Sequence, residues 1–325
     1  MTLERVPFGR TDMAITRVGF GAWAVGGGGW ANAWGAQDDD ESVAAIRHAV
    51  DRGINWIDTA SIYGHGHSEE VVARAVREIP EADRPLVFTK GGLGWNNADH
   101  MEQATRRGAP DAIRQDVEDS LQRLGVDRID LFQMHWPAED GSSVEDYWAV
   151  FAELQQQGKV RAIGLSNHDV PALERAEAIA HVDSLQPPFS AIRPDAATTG
   201  LLDWCADHGT AVIVYSPMGS GLLTGAMTAE RVAAMPADDW RRRSPAFTTD
   251  LEKNLATGAA IARVADRHGV SQASAAVAWT LGFRGVTGAI VGARSPQQID
   301  GWIDGASVQL TAEDYAEVGS AAPAA

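Results

Sequence analysis

Residues 38–58, DDDESVAAIRHAVDRGINWID, hold the reading on which the fold turns. Three aspartates and Glu41 crowd the first turn, where negative charge meets the positive end of a helix dipole. Gly53 stands just past the last turn, the usual place for a left-handed cap. The pattern then changes. NWID (55–58) is a short apolar run of the kind that forms a strand covered on both faces. A capped helix leading straight into a buried strand is one α/β unit.

Working outward, the unit recurs. Strand-like runs stand at RVGFG (17–21), LVFTK (86–90), IDLFQMH (129–135), RAIGLS (161–166), DSLQ (183–186), AVIVYS (211–216) and GAIVG (288–292). Helical stretches lie between them. APDAIRQDVEDSLQRLG (109–125) has Pro110 near its start and closes on Gly125, and SVEDYWAVFAELQQQGK (143–159) and VPALERAEAIA (170–180) follow the same grammar. Eight strands, mostly with a helix between successive ones, predict an α/β fold of the closed parallel (β/α)8 TIM-barrel type. A doubly wound open sheet is the competing arrangement. A barrel of this kind takes up 325 residues as one domain. Residues 1–17 read as an N-terminal hairpin under the barrel floor, turning at GRTD (9–12). Residues 221–253 form a long loop after the seventh strand, a length that signals function, and 311–325 a short helix and tail.

The charge balance narrows the partners. Asp and Glu outnumber Lys and Arg by 44 to 27, for a net charge of −17, so nucleic acid and anionic membranes are poor partners. No apolar run approaches the roughly 20 residues that span a bilayer, and the N-terminal stretch lacks the apolar centre of a secretory signal. Cys205 is the only cysteine, which excludes an internal disulfide and fits a cytoplasmic setting. The expected partner is a small molecule.

In such a barrel, chemistry belongs at the carboxyl ends of the strands. The second strand ends on Asp58, with Tyr63 in the following loop; the third ends on Lys90 and the fourth on His135. Each alone has an ordinary explanation, as a turn cap, rim packing, a solvated amine or a core imidazole. Together they make proton-donor machinery. A phenol has an intrinsic pKa of about 10, an adjacent ammonium favours the phenolate, and a carboxylate holds that ammonium in place. A histidine beside the same space can orient a carbonyl oxygen. The set would protonate a carbonyl, or in reverse deprotonate an alcohol. It holds no hydride source, which implies a nicotinamide cofactor.

The other strand ends offer cofactor contacts. Ser166, Asn167 and Gln186 suit a carboxamide, and Tyr215 could stack on a nicotinamide ring. SPMGSGLLTG (216–225) brings glycine-rich backbone close to a pyrophosphate. Arg294 and Ser295 in VGARSPQQ (291–298) precede the last helix, where barrels often bind phosphate, and Arg294 would suit the 2′-phosphate of NADP. Trp23, Trp95 and Trp136 follow strand ends and suggest an aromatic substrate wall, with Trp30 and Trp34 at one side. Such a wall favours carbonyl compounds with an apolar body; ordinary packing is the alternative for each indole.

The motifs RVGFGAW (17–23), DTASIYGHGHSEE (58–70), FTK (88–90), RLGVDRIDLFQMHWP (123–137), GKVRAIGLSN (158–167), YSPMGSGLLTG (215–225) and IVGARSPQQI (290–299) stand in order along nearly the whole chain. In this the sequence resembles the aldo-keto reductases. The resemblance implies an NADP-dependent reductase of aldehydes or ketones, with NAD possible. It puts Asp58, Tyr63, Lys90 and His135 on the catalytic tetrad, with Tyr63 as general acid. Gly21, Trp23, Asp58, Ser166, Asn167, Gln186 and Tyr215 fall at the nicotinamide end. Ser216, Pro217, Met218, Gly219, Gly221 and Leu222 fall on the pyrophosphate loop, and Gly292, Arg294, Ser295 and Gln298 at the adenosine phosphate. Trp23, Tyr63, Trp95, His135 and Trp136 would meet the substrate. Two departures stand out. Gly301 and Trp302 occupy the places of a Glu-Asn pair near the adenine, and Phe189 and Ser190 those of a Tyr-Asn pair. Some members of the family serve ion channels as cofactor-binding regulatory subunits, which is the alternative function.

Three further features weigh less. GFGAWA (19–24) matches a dinucleotide fingerprint on paper, but VGGGGWANAWG follows it with no opening helix. His65 and His67 lack a third ligand at metal-site spacing, so no metal is expected. Arg241, Arg242 and Arg243 form the only dense cationic run, and their role stays open.

Overall fold

The computed structural model describes residues 3–235 and 239–319. Parts of three expected segments, residues 1–2, 236–238 and 320–325, lie outside the described residues. The opening unit forms as read. Asp38 caps the helix Asp39–Asp51 by accepting from the Glu41 amide at 2.9 Å, and Gly53 takes a φ of +93° before the chain enters its strand.

Twelve strands are described. β1 (Arg5–Pro7) and β2 (Ala14–Thr16) make an antiparallel hairpin. The barrel strands are β3 (Val18–Gly21), β4 (Trp56–Asp58), β5 (Leu86–Gly91), β8 (Ile129–Met134), β9 (Val160–Ser166), β10 (Ser184–Gln186), β11 (Ala211–Tyr215) and β12 (Val286–Gly292). They close in the spatial order β3, β4, β5, β8, β9, β10, β11, β12 and back to β3, every neighbour parallel. The sequence anticipates each of these eight to within two residues at either end. It does not anticipate β6 (Leu93–Gly94) and β7 (Thr105–Arg106), a small antiparallel ribbon above β5. Two-residue strands carry no period to read.

The hairpin seals the floor. Phe8, Met13 and Ile15 pack with Trp56, Phe88, Leu131, Ala162, Ala211, Ile213 and Ile290 inside the barrel. Gly19 makes room for this plug: a Cβ there would lie 2.2 Å from the Trp56 ring. The Trp56 indole N–H, buried with it, donates to the Thr16 carbonyl at 2.8 Å. With the floor filled, only the opposite end is open to chemistry.

The long connection after β11 is not structureless. It holds a turn at Gly219–Gly221, a helix at Ala229–Ala233 and tight turns at Trp240–Arg243 and Pro245–Phe247. Leu222, Met227, Val232, Met235 and Phe247 give it a small core of its own. The helix Leu251–His268 starts inside the expected loop, so the connection ends at residue 250.

Candidate active site

β4 delivers Asp58 and β5 delivers Lys90 to the same point. The Lys90 ammonium is fully buried and bonds Asp58 Oδ1 at 2.6 Å and the Thr59 carbonyl at 2.8 Å. Gln186, at the end of β10, donates to Asp58 Oδ2 at 2.9 Å and to Gln133 Oε1 at 3.3 Å. Burial raises the pKa of Asp58 and lowers that of Lys90, and each group's charge partly offsets the other's shift.

Tyr63 reaches this pair because the loop after β4 turns back hard. Gly64 takes a φ of +61°, and a Cβ on it would lie 2.2 Å from the Gly26 carbonyl. Two glycines in contact therefore press this loop against the turn after β3. The Tyr63 ring centroid lies 5.2 Å from Lys90 Nζ and 5.8 Å from that of His135, whose ring stands edge-on to it. Trp23 stacks on the other side at 6.1 Å. The tetrad expected from sequence is thus assembled at one mouth.

One electrostatic expectation is reversed. The sequence reading has Lys90 acidifying the phenol, whereas the Tyr63 pKa is pushed well above 10, by burial first and then by the Asp58 and Tyr215 charges. Asp58 bonds the ammonium directly, so little net positive potential reaches the phenol. Tyr63 is held protonated. His135 is held neutral, its pKa driven well below 6.5 by burial and by Lys90.

A cavity of about 820 Å³ opens over the tetrad. Of the residues expected to hold cofactor or substrate, Gly21, Trp23, Ser166, Asn167, Gln186, Tyr215, Ser216, Pro217, Met218, Gly221, Gly292, Arg294, Gln298, His135 and Trp136 line it, with Asp58 and Tyr63. Four others do not. Gly219, half-exposed, does not itself line the cavity although its neighbours Met218 and Ser220 do, and Leu222, 1% exposed, belongs to the small core of the long connection. Ser295 sits at the start of the helix Pro296–Asp300 without capping it, and Trp95, half-exposed, stacks on His65 at 5.2 Å and does not line the cavity. Lys90 is also off the wall, acting from beneath Asp58.

The nicotinamide-end candidates are locked together. Asn167, with a φ of +62°, donates to the His135 carbonyl at 3.0 Å and accepts from the Tyr215 hydroxyl at 2.8 Å. Ser166 Oγ donates to the Gln186 carbonyl at 2.8 Å. Behind them His168 joins the Ser166 carbonyl (2.8 Å) to the Tyr147 hydroxyl (2.7 Å).

Arg294 is on the wall but already occupied. Its guanidinium bonds Gln37 Oε1 at 2.6 Å and the Trp34 and Ala36 carbonyls, which fastens the loop after β3 to the end of β12. Trp240 and Arg241, the latter from the cationic run whose role the sequence leaves open, complete the mouth. Trp240 stacks on Trp23 at 5.7 Å and meets Trp34 edge-on at 5.6 Å. Arg241 pairs with Asp239 at 2.7 Å and lies over the Trp34 ring. The sequence does not anticipate Trp240, Arg106 and Arg231 on the wall, nor Gln133, buried beneath it against Gln186. Gln133 is a polar break inside an apolar strand, a signal that was visible; the arginines follow no pattern. His65 and His67 diverge, His67 bonding Asp39 at 2.9 Å while His65 packs against Trp95 and His100.

The wall suits an anionic dinucleotide. Ser216, Gly219, Ser220 and Gly221 all take positive φ, which bends the chain into a concave path. Arg106, Arg231, Arg241 and Arg294 line the cavity, and its only carboxylate among the described residues is Asp58, matched by Lys90.

A closed parallel barrel with this tetrad at its mouth defines an oxidoreductase acting on carbonyl or alcohol groups. The sequence matches the model of the aldo/keto reductase family over residues 17–323, and the chain belongs to that family. It is 34% identical to the aldo-keto reductase YhdN of Bacillus subtilis, covering 97% of this chain and 92% of that one. It is 32% identical to the NADH-specific methylglyoxal reductase of Escherichia coli, with 96% of each covered. Among solved structures, a glycerol dehydrogenase from Gluconobacter oxydans superposes with a TM-score of 0.87 at 37% identity, covering 98% of this chain and 95% of that one.

Proposed function

We propose that the chain reduces aldehydes or ketones to alcohols, reversibly, with NADP(H) preferred and NAD(H) accepted, and with Tyr63 as the proton donor. The observation that carries this reading is the buried Lys90–Asp58 pair beneath a protonated tyrosine on the wall of a dinucleotide-sized cavity. When bound, the nicotinamide supplies the hydride. Ser166, Asn167, Gln186 and Tyr215 are the residues to orient its carboxamide and ring, and the 216–221 path with Arg231, Arg241 and Arg294 are those to hold its phosphates.

The chain's own part is proton transfer. His135, neutral and edge-on to Tyr63, is placed to hold the carbonyl oxygen. Tyr63 gives its proton to that oxygen as charge gathers there. The Lys90 ammonium then faces the phenolate left behind, and Asp58 keeps it charged. The tryptophans around the mouth exclude water, which strengthens each of these interactions.

Loss of nicotinamide absorbance with an aromatic aldehyde tests the reading. Tyr63→Phe should lower reduction by about 10²–10⁴-fold while cofactor affinity, followed by fluorescence titration, stays nearly intact. Full turnover in that variant would refute the assignment of the acid. Arg294→Ala should weaken binding of NADPH more than of NADH, and equal losses would remove the 2′-phosphate contact from the proposal.

A further inference from the structure

The substrate side of the cavity carries a charge that reduction of a plain aldehyde does not need. β5 and β8 lie across the ring from β11 and β12, four strands away in either direction. The elements after β11 and β12 carry Arg231, Arg241 and Arg294, on the side proposed for the dinucleotide. Arg106 stands apart on β7, above β5, facing the same cavity as Tyr63 and His135.

Its setting is built. The guanidinium lies 4.4 Å from the centre of the Trp136 ring, and Trp136 follows His135 directly, so an indole face carries the cation in the same cavity lining as His135 and Tyr63. The Glu139 amide donates to the Arg106 carbonyl at 3.0 Å, which fixes the backbone of this residue. Glu139 also pairs with the guanidinium, but its side chain is 66% exposed. Such a solvated pair contributes little and gives way to a better enclosed anion. A planar guanidinium presents paired N–H donors that match a carboxylate, and among the described residues it is the one cation on this side of the wall, whose only carboxylate, Asp58, is paired with Lys90.

We propose that Arg106 is the anion-recognition residue of the substrate pocket, so that the preferred carbonyl compound has an apolar body with a carboxylate at the end remote from its carbonyl. This rests on the reductase reading above. Trp23, Trp30 and Trp136 take the body, Tyr63 and His135 the carbonyl, and Arg106 the charge.

The experiment compares 4-carboxybenzaldehyde with its neutral methyl ester, reading the ratio of their kcat/KM values. For the natural protein at low salt the acid should be favoured by about tenfold. That preference should fade as ionic strength rises, since a half-exposed pair is screened. Arg106→Met should bring the ratio near or below one, and Arg106→Glu should invert it. Should those variants fail to fold, Glu139→Gln serves instead: freeing the guanidinium should raise the ratio in the intact pocket. A ratio at or below one in the natural protein, or one indifferent to Arg106→Met or to Glu139→Gln, overturns the assignment while leaving the reductase standing. If neither compound is reduced, the reductase reading falls, and the anion assignment with it.

Discussion

Lys90 shows how one residue ties stability to chemistry. Its ammonium has no exposure and bonds the Asp58 carboxylate and the Thr59 carbonyl. Removing one partner of a buried pair leaves the other charge uncompensated, at a cost of about 3–5 kcal/mol. Lys90→Met should therefore unfold at a markedly lower urea concentration than the natural protein at pH 7. Adding Asp58→Asn to it should recover part of the loss, because the stranded charge is gone. A double variant no more stable than Lys90→Met would show that the carboxylate is not stranded. Asp58, Tyr63, Lys90 and His135 were all legible in the sequence, since each ends or follows a strand. The direction of the Tyr63 pKa was not legible, because it depends first on how deeply the phenol is buried and then on the charges of Asp58 and Tyr215 that folding brings near it.

At the scale of elements, the site depends on loops that press together. The loop after β4 touches the turn after β3 through Gly64 and Gly26, and Tyr63 rides on that contact. Gly64→Ala adds a Cβ at 2.2 Å from a carbonyl at a left-handed position, a strain of about 1–3 kcal/mol. The loop must shift, so turnover should fall far more than thermal stability does. Unchanged turnover in Gly64→Ala would show that Tyr63 does not depend on this contact. Gly64 and Gly66, flanking His65 in the sequence, are a local signal of that turn. The contact with Gly26, and the clasp of Arg294 on residues 34–37, join segments far apart in the chain and left no local trace.

Across the whole molecule, floor and mouth divide the work. The hairpin plug of Phe8, Met13 and Ile15 closes one end of the barrel, and titratable groups gather at the other. Some buried imidazoles make folding sensitive to acid. Burial holds His168 down to about 4 and His135 well below its usual 6.5. Below pH 6.5 the unfolded chain takes up these protons first, so the stability they contribute is complete above that pH and is lost as pH falls toward 4. Asp116, Asp130 and Asp183, raised by burial, act in the opposite sense. The imidazole is isolated by comparing urea midpoints of the natural protein and His168→Gln. Their difference should be largest at neutral pH and shrink below pH 6.5; a constant gap would mean His168 does not titrate on unfolding.

The barrel itself was determined by the sequence alone. Buried parallel strands read as apolar runs, and helices between them declare their ends by acids, prolines and glycines, all signals carried by neighbours in the chain. The tetrad followed, because a (β/α)8 ring puts every strand end at one mouth. Only the tertiary structure decided how that mouth is walled. Trp240 over Trp23, Arg106 over Trp136 and Arg294 on the loop after β3 are meetings of side chains brought together by folding. Such contacts depend on distance in space and on burial, and neither is written in the local order of residues.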